Sequence, residues 1–291
     1  MQKPTYIYKY CSATRGIQVL SECALYLCPP DRLNDLAEFT ISRFGLGSYD
    51  PGRAKFVEYV RWRATGATHE DAKAMVDRTP PEEWRSNYEY FEARLRDLNA
   101  KLRVHSGVTC FSARFMDQRM WGTYGNGHAG ICIQFTNADG LSLVHRHVLP
   151  VAYNDTVNPE ILIHLLKADG AVDVEILARE LYLTKTTDWR DEEEWRILML
   201  ADNEQRSTDR HFSFPARNVR RIFLGPRISE VHRAKIKDIA LHREADWSVL
   251  DVVPVPNEGR FEYRGLERVL AYSDIEFWDE HRHCRGRPAR E

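Results

Sequence analysis

Acidic side chains crowd the segment 189–196, whose sequence is WRDEEEWR. If this segment is a β-strand, Glu192, Glu194 and Arg196 share one face, because side chains alternate between the two faces of a strand. Two carboxylates beside one cation titrate as a coupled set, since like charges resist simultaneous ionisation while the cation favours it. Such a set suits a reaction in which positive charge develops on a sugar carbon, because one carboxylate can stabilise the oxocarbenium-like centre and hold a ribose hydroxyl.

The same segment also has a purely structural interpretation. Glu193 and Trp195 would occupy the opposite face, and the charged side chains would form an ion-pair cluster on an edge strand with no chemical role. Spacing alone favours this second interpretation. A catalytic role for the acidic segment therefore depends on partners from elsewhere in the chain.

A glycine-rich segment over 120–130, MWGTYGNGHAG, is a second candidate for ligand binding. Trp121 and Tyr124 offer flat faces to a ring, and His128 could bind a phosphate or a ribose. The segment matches neither the P-loop motif nor a GxGxxG fingerprint between a strand and a helix. A tight turn leading into a strand over 131–135 explains the glycines equally well.

Two predicted strands carry further candidates. On the strand over 6–10, Tyr10 shares one face with the other tyrosines. Lys9 lies on the opposite face, where it could bind a phosphate or be a solvated side chain on a half-exposed strand. Ser112 ends the strand over 108–112 and could position a ligand hydroxyl or amide, although serine at such a place is more often a turn residue.

Composition narrows the class of function. The 291 residues carry a formal net charge of −2, so no overall electrostatic field favours nucleic acid or acidic lipid. No run of eighteen apolar residues exists, and residues 1–6 lack the apolar region of a signal peptide, so we expect a cytoplasmic protein.

Cysteine and histidine patterns predict neither disulfides nor a metal site. None of the six cysteines forms a CxxC pair, so buried free thiols are expected. Two histidine pairs, at 145 and 147 and at 281 and 283, lack an accompanying HExxH or CxxC motif.

The order of the predicted elements indicates an α+β fold with a mixed, mostly antiparallel central sheet. Charged residues and apolar residues at helical spacing over 53–103 indicate a helical insertion. We predict a single domain over 1–255 and a C-terminal extension over 256–291. Strands are predicted over 6–10, 24–28, 108–112, 129–135, 143–153, 195–200, 219–224 and 248–255, and helices over 17–23, 159–183 and 231–242. Because the strands cluster in the second half, the order fits α+β better than alternating βαβ units.

Taken in order, the motifs resemble the bacterial domain-of-unknown-function family numbered 2971, over about residues 6–225. At 36–37 the chain has Leu-Ala where the family usually has Pro-Phe after Asn-Asp, a departure that concerns the local turn. The motifs that carry the resemblance are Tyr8-Lys9-Tyr10, Leu33-Asn34-Asp35, Cys110-Phe111-Ser112, Met120-Trp121-Gly122-Thr123-Tyr124, Gly127-His128-Ala129-Gly130 and Trp189 with Glu192, Glu194, Trp195 and Arg196.

More distantly, the chain is similar to ADP-ribosyltransferases, in which an early basic residue, a serine at a strand end and a late Glu-x-Glu follow one another. Lys9, Ser112 and the pair Glu192 and Glu194 occur in this order. Lysine at this place departs from the arginine or histidine of the pattern, because its side chain lacks a planar fork of donors. Arg15 is the alternative for the early basic residue. This resemblance implies a split sheet, NAD as substrate and a macromolecular acceptor, either protein or nucleic acid.

The resemblance also implies roles for the candidate residues. Glu194 would stabilise the ribosyl cation, and Glu192 would orient or deprotonate the acceptor. The remaining candidates would bind NAD, with Trp121 or Tyr124 stacking on nicotinamide; they are Lys9, Tyr10, Ser112, Trp121, Tyr124, His128 and Arg196. A role in phage defence or in a toxin system is a further implication of the resemblance.

Two other functions remain open from the sequence. A nonenzymatic module could bind a nucleotide or nucleic acid through the glycine-rich segment and the arginines at 217, 220, 221 and 227, with affinity that falls steeply with salt. A metal-independent ribonuclease could use Glu192, Glu194 and His128 as acid and base.

Overall fold

The computed structural model describes residues 3–33, 38–44, 48–136, 148–155, 161–167, 171–201, 210–243, 246–254 and 261–265. The helices are α1 (Ala13–Glu22), α2 (Pro51–Ala64), α3 (His69–Arg78), α4 (Pro81–His105), α5 (Gln118–Thr123), α6 (Ile161–Leu165), α7 (Val174–Tyr182) and α8 (Glu230–Leu241). The strands are β1 (Tyr6–Cys11), β2 (Ala24–Tyr26), β3 (Gly107–Ser112), β4 (Ile131–Thr136), β5 (Leu149–Pro150), β6 (Ala152–Tyr153), β7 (Thr184–Lys185), β8 (Glu194–Met199), β9 (His211–Ser213), β10 (Val219–Leu224), β11 (Ser248–Pro254) and β12 (Phe261–Gly265).

One sheet of eight strands organises the described residues, in the order β12-β11-β10-β4-β1-β3-β8-β5. Its strand pairs are antiparallel except β10 with β11. Strands β2 and β9 form a small antiparallel sheet, and β6 and β7 form a small parallel one. The predicted α+β class with a mostly antiparallel central sheet is therefore confirmed.

The two faces of the sheet carry different layers. On one face α1 and α8 pack over a core that includes Trp195 and Ile197 of β8. On the other face Leu198, also from β8, packs against a second core, built by helices α2, α4, α6 and α7. The alternation of β8 thus directs the even-numbered side chains Glu194, Arg196 and Leu198 toward the helical layer.

The charged stretch between β2 and β3 is helical, as its periodicity predicts. Helix α4 begins at Pro81, a residue suited to the first helical turn, and buries Phe91, Leu95 and Leu102 along one side. It packs against α2, and both contribute to the second core. The assignment of this stretch as an insertion in a single domain over 1–255, followed by an extension, stays a prediction.

Two predicted elements differ from the structure. The helix expected over 159–183 is interrupted: Leu166 and Val172 form a β-bridge between α6 and α7, and Asp173 caps α7 by accepting hydrogen bonds from its first backbone amides. Of the strand expected over 143–153, residues 143–147 lie outside the described residues, and the remainder forms the two-residue strands β5 and β6.

The glycine-rich segment is a tight turn between α5 and β4. Gly130 N donates to Gly125 O at 2.8 Å, and Gly125 N donates to Met120 O at 3.0 Å. A Cβ atom at Gly130 would overlap the backbone carbonyl of Cys11 on the neighbouring strand, whereas one at Gly122 would meet no atom within 4 Å. The glycine at 130 thus allows two backbones to approach closely.

We expect Gly130→Ala to lower the free energy of unfolding by about 3 kcal/mol, because backbone atoms cannot give way as the end of a side chain can. Gly122→Ala is the matched control, since it adds the same methyl group to the same segment in open space. Urea unfolding measures both variants. Equal midpoints for the two would show that the close approach at Gly130 is not required.

Candidate functional site

A cavity of about 550 Å³ opens at the seam between β1 and β3. Among the described residues, Tyr8 and Ser112 form the one pair of directly opposed residues between these two strands. Past this pair, successive residues of both strands line the cavity. Its volume falls in the range of about 300–1,000 Å³ typical of small-molecule sites. The sheet is therefore parted where a ligand could enter between two of its central strands.

Lys9 occupies this seam. Its Nζ donates to Thr109 Oγ1 at 2.9 Å and to the backbone oxygen of Cys110 at 3.1 Å. Burial lowers the pKa of the Lys9 ammonium, and neighbouring thiols oppose that effect. As the alternation of β1 predicts, Tyr10 lies on the opposite face, where its ring meets Trp121 edge-on.

The acidic segment is not one continuous strand. Residues Thr187–Glu192 form a 3₁₀ helix, Glu193 adopts a left-handed conformation with φ 44°, and β8 begins at Glu194. The prediction that Glu192 lies on the strand is wrong, because the turn at Glu193 breaks the alternation. Glu194 and Arg196 do share a face, and Trp195 is buried on the other face.

Glu192 nevertheless reaches the cavity by another route. Its backbone oxygen accepts a hydrogen bond from Ser112 Oγ at 2.6 Å, which ties the 3₁₀ helix to the end of β3. Its carboxylate accepts from Tyr124 Oη at 2.7 Å and from Lys185 Nζ at 2.8 Å. The carboxylate therefore stands beside Glu194 at the cavity wall.

Five charged side chains form one buried network at the cavity wall. Arg196 donates Nε to Glu194 Oε1 and Nη2 to Glu194 Oε2, both at 2.8 Å, and Nη2 also donates to Glu38 Oε1 at 3.0 Å. Lys185 Nζ lies 3.3 Å from Glu38 Oε1 and 3.4 Å from Glu194 Oε2. Arg196 further donates to the backbone oxygen of Tyr182. Every one of these groups is satisfied by a partner, as buried charges must be.

The network controls proton affinity. Burial opposes ionisation of Glu194, but Arg196 and Lys185 outweigh it and hold the pKa of Glu194 at about 2. Burial raises the pKa of Glu38 against the pull of the same two cations. For Lys185, the carboxylates outweigh burial and raise the pKa of its ammonium. When all five groups are charged, three carboxylates face two cations within the network, and Lys9 and Arg15 add two further cations elsewhere on the cavity wall.

The structure brings most of the predicted site residues together and separates two of them. Lys9, Tyr10, Ser112, Tyr124, Glu192, Glu194 and Arg196 line the cavity. Trp121 has no exposed surface and lies in a core cluster with Tyr10, Met120 and Phe223, so it cannot stack on a ligand in the cavity.

His128 belongs to the turn before β4 and is not part of the cavity wall. Its backbone oxygen accepts from Arg227 N at 3.0 Å, and its ring packs 5.4 Å from that of Phe261. Among the arginines of the nucleic-acid hypothesis, Arg221 is buried and donates to Gln134, so it is not free to bind a phosphate backbone.

Sequence reasoning missed four residues of the site. Lys185 and Glu38 complete the charge network, the Trp189 ring lies 4.3 Å from Lys185 Nζ, and Tyr153 Oη accepts from Glu194 N at 2.7 Å. Trp189 stood in the acidic motif and could have been selected as a partner for a cation. Nothing in the local patterns around Lys185, Glu38 or Tyr153 marks them.

Thiols also line the cavity, contributed by Cys11, Cys28 and Cys110. All cysteines within the described residues are free, and Cys11 and Cys132 are buried as predicted, whereas the others are half-buried; Cys284 lies outside those residues. Burial raises the pKa of the Cys11 thiol to about 11, so it is uncharged at neutral pH.

No cluster of three or more metal-binding side chains occurs among the described residues, which do not include the two histidine pairs. Within the same part of the chain, no helix combines the length and apolar character needed to cross a membrane.

Comparison with known proteins gives one match. No curated protein and no solved structure matches the chain significantly. The family model described as "Protein of unknown function (DUF2971)" matches residues 120–197, a narrower span than the 6–225 expected from the motifs. The matched span runs from α5 to β8 and includes Tyr124, Lys185, Glu192, Glu194 and Arg196, but not Lys9, Glu38 or Ser112. Over residues 120–197, the chain resembles the DUF2971 family of proteins of unknown function.

Proposed function

We propose that the chain cleaves the bond between nicotinamide and ribose in NAD and transfers ADP-ribose to a macromolecular acceptor. The observation that carries the proposal is a pair of carboxylates on the cavity wall, where Glu192 and Glu194 stand together beside a seam that holds Lys9. A ribosyl cation forming beside this pair would be stabilised by the negative charge of the two carboxylates. Glu194 suits that role because its low pKa keeps it ionised throughout the physiological range.

In the reaction, nicotinamide leaves as a neutral base when its glycosidic bond breaks, and the bonding electrons go with it. The acceptor then attacks the anomeric carbon and loses a proton. Glu192 is the better placed of the two carboxylates to orient the acceptor or take this proton, since its side chain is 12% exposed against 6% for Glu194. Tyr124 and Lys185 hold the Glu192 carboxylate in place by hydrogen bonds.

Other residues of the cavity would bind the substrate. An ammonium has three donors, and Lys9 uses two of them within the protein, so one remains for a ligand oxygen. Because Trp121 is buried in the core, Tyr124 is the one of these two aromatic side chains that can stack on nicotinamide. Ser112 acts indirectly in this scheme, since its hydroxyl donates to the backbone of Glu192 and accepts from Arg114 N.

A second candidate is a nonenzymatic nucleotide-binding module. It is favoured by the complete pairing of Glu194, both of whose oxygens accept hydrogen bonds from Arg196. A carboxylate held in this way can stabilise the fold without taking part in a reaction. This module would bind NAD without releasing nicotinamide. The cytoplasmic location and the role in defence or toxicity stay predictions.

The test is incubation of the purified chain with NAD, with and without cell extract as a source of acceptors, followed by chromatography of released nicotinamide. We expect release by the wild type and its loss in Glu194→Gln. Glu193→Gln is the matched control, because it removes the same charge from the adjacent residue, whose carboxylate pairs with Arg114 and does not line the cavity. Circular dichroism must show that each variant is folded. Absence of release by the wild type under both conditions would refute the proposal.

A further inference from the structure

A second, smaller cavity of about 300 Å³ lies next to the main one, and Tyr26 of β2 lines both. Arg15 and His211 line the main cavity on its Tyr26 side, with the Arg15 guanidinium 5.0 Å above the Tyr26 ring and the His211 ring 5.5 Å from it. The two cavities therefore adjoin at Tyr26. A ligand longer than the main cavity could extend past Tyr26 into it.

Two arginines and one carboxylate are the charged side chains that line the second cavity among the described residues. Arg32 and Arg210 contribute guanidinium groups, His105 an imidazole, and Asp31 the opposing carboxylate. Arg210 is held rigidly, because it donates to the backbone oxygens of Val104, His105 and Ser106 at the end of α4. Those carbonyls use its donors, so Arg210 contributes its charge more than free hydrogen bonds.

Arg32 is the residue with donors to spare. It closes the 3₁₀ helix Pro30–Arg32 on the surface, and among the described residues its guanidinium has no hydrogen-bonding partner. A guanidinium presents paired N–H donors whose geometry matches two oxygens of a phosphate. An arginine with unused donors in the same cavity as the guanidinium group of Arg210 is the arrangement that a phosphate ester would need.

We infer that the second cavity is a subsite for the diphosphate of a dinucleotide whose nicotinamide–ribose half occupies the main cavity. This inference rests on the proposed function for the identity of the ligand in the main cavity. Two chemically different cavities then bind different parts of the dinucleotide. The carboxylates Glu192 and Glu194 meet the ribose, and the arginines beyond Tyr26 meet the phosphates.

Isothermal titration calorimetry with ADP as the probe tests the subsite, because ADP carries the diphosphate and lacks the bond to be cleaved. We expect Arg32→Gln to weaken ADP binding about tenfold or more through loss of a charge-assisted hydrogen bond. Arg78→Gln, at an exposed position in the last turn of α3, should bind ADP like the wild type. Nicotinamide binding should be the same in all three proteins.

The possible outcomes separate this inference from the proposed function. ADP binding that depends on Arg32 supports the subsite even if nicotinamide is never released from NAD. Equal ADP affinity in the wild type and Arg32→Gln, or no ADP binding by the wild type, would overturn the subsite even if NAD is cleaved.

Discussion

Replacing Arg196 by methionine is expected to lower the free energy of unfolding by about 3–5 kcal/mol, the cost of removing one partner from a buried ion pair. Only 1% of the Arg196 side chain is exposed, and it donates to both Glu194 and Glu38. Methionine fills a similar volume but leaves these two carboxylates with Lys185 as their remaining cation in the network. The penalty comes from the uncompensated charges more than from lost packing.

Arg85→Met is the control for this substitution. Arg85 pairs with Glu89 on the surface of α4, where both side chains are more than half exposed, so its loss should leave stability nearly unchanged. Urea unfolding at neutral pH compares the two variants. Similar midpoints would show that the Arg196 network contributes no more than a surface pair.

A double variant isolates the cause of the Arg196 effect. In Arg196→Met combined with Glu38→Gln, one of the two carboxylates left behind no longer carries charge. We therefore expect the double variant to be less destabilised than the sum of the two single variants, as for residues in one network. Strict additivity would show that charge burial does not explain the loss.

Replacing Glu192 by glutamine is expected to reduce the rate of nicotinamide release by about 10²–10³-fold, the size of effect seen when one electrostatic group is removed from an active site. Glutamine keeps the shape of the side chain, and its amide oxygen can still accept a hydrogen bond from Tyr124. The change therefore removes negative charge from the cavity wall while it preserves the packing there. Because Glu192 is less deeply buried than Glu194, Glu192→Gln should also disturb folding less.

Glu193→Gln distinguishes a local effect from a change in overall charge. Glu193 is 46% exposed and pairs with Arg114, so its loss should leave the rate nearly unchanged. Single-turnover measurements of nicotinamide release at saturating NAD separate the chemical step from binding. If both variants release nicotinamide at the wild-type rate, Glu192 has no catalytic role.

Local patterns in the sequence predicted much of the fold. Alternation in β1 and β8 placed Lys9 and Trp195 on their faces correctly, and apolar residues at helical spacing predicted the long helix α4. These features depend on the residues within one element, because a strand or helix must direct its apolar side chains toward a core. The same reasoning failed at Glu192, because a single left-handed residue, Glu193, separates it from the strand that begins at Glu194.

The sequence by itself determined the candidate carboxylates and the strand face that Glu194 shares with Arg196. Only the tertiary structure decided what surrounds them. Glu38 meets Arg196 across 158 residues of sequence, and Lys185 reaches both Glu192 and Glu194 from β7. Such contacts leave no periodic signal, since they depend on how distant elements pack and not on the order of residues within one of them. The acidic segment becomes a candidate active site because packing places it, with the cations that balance it, at an open seam of the sheet.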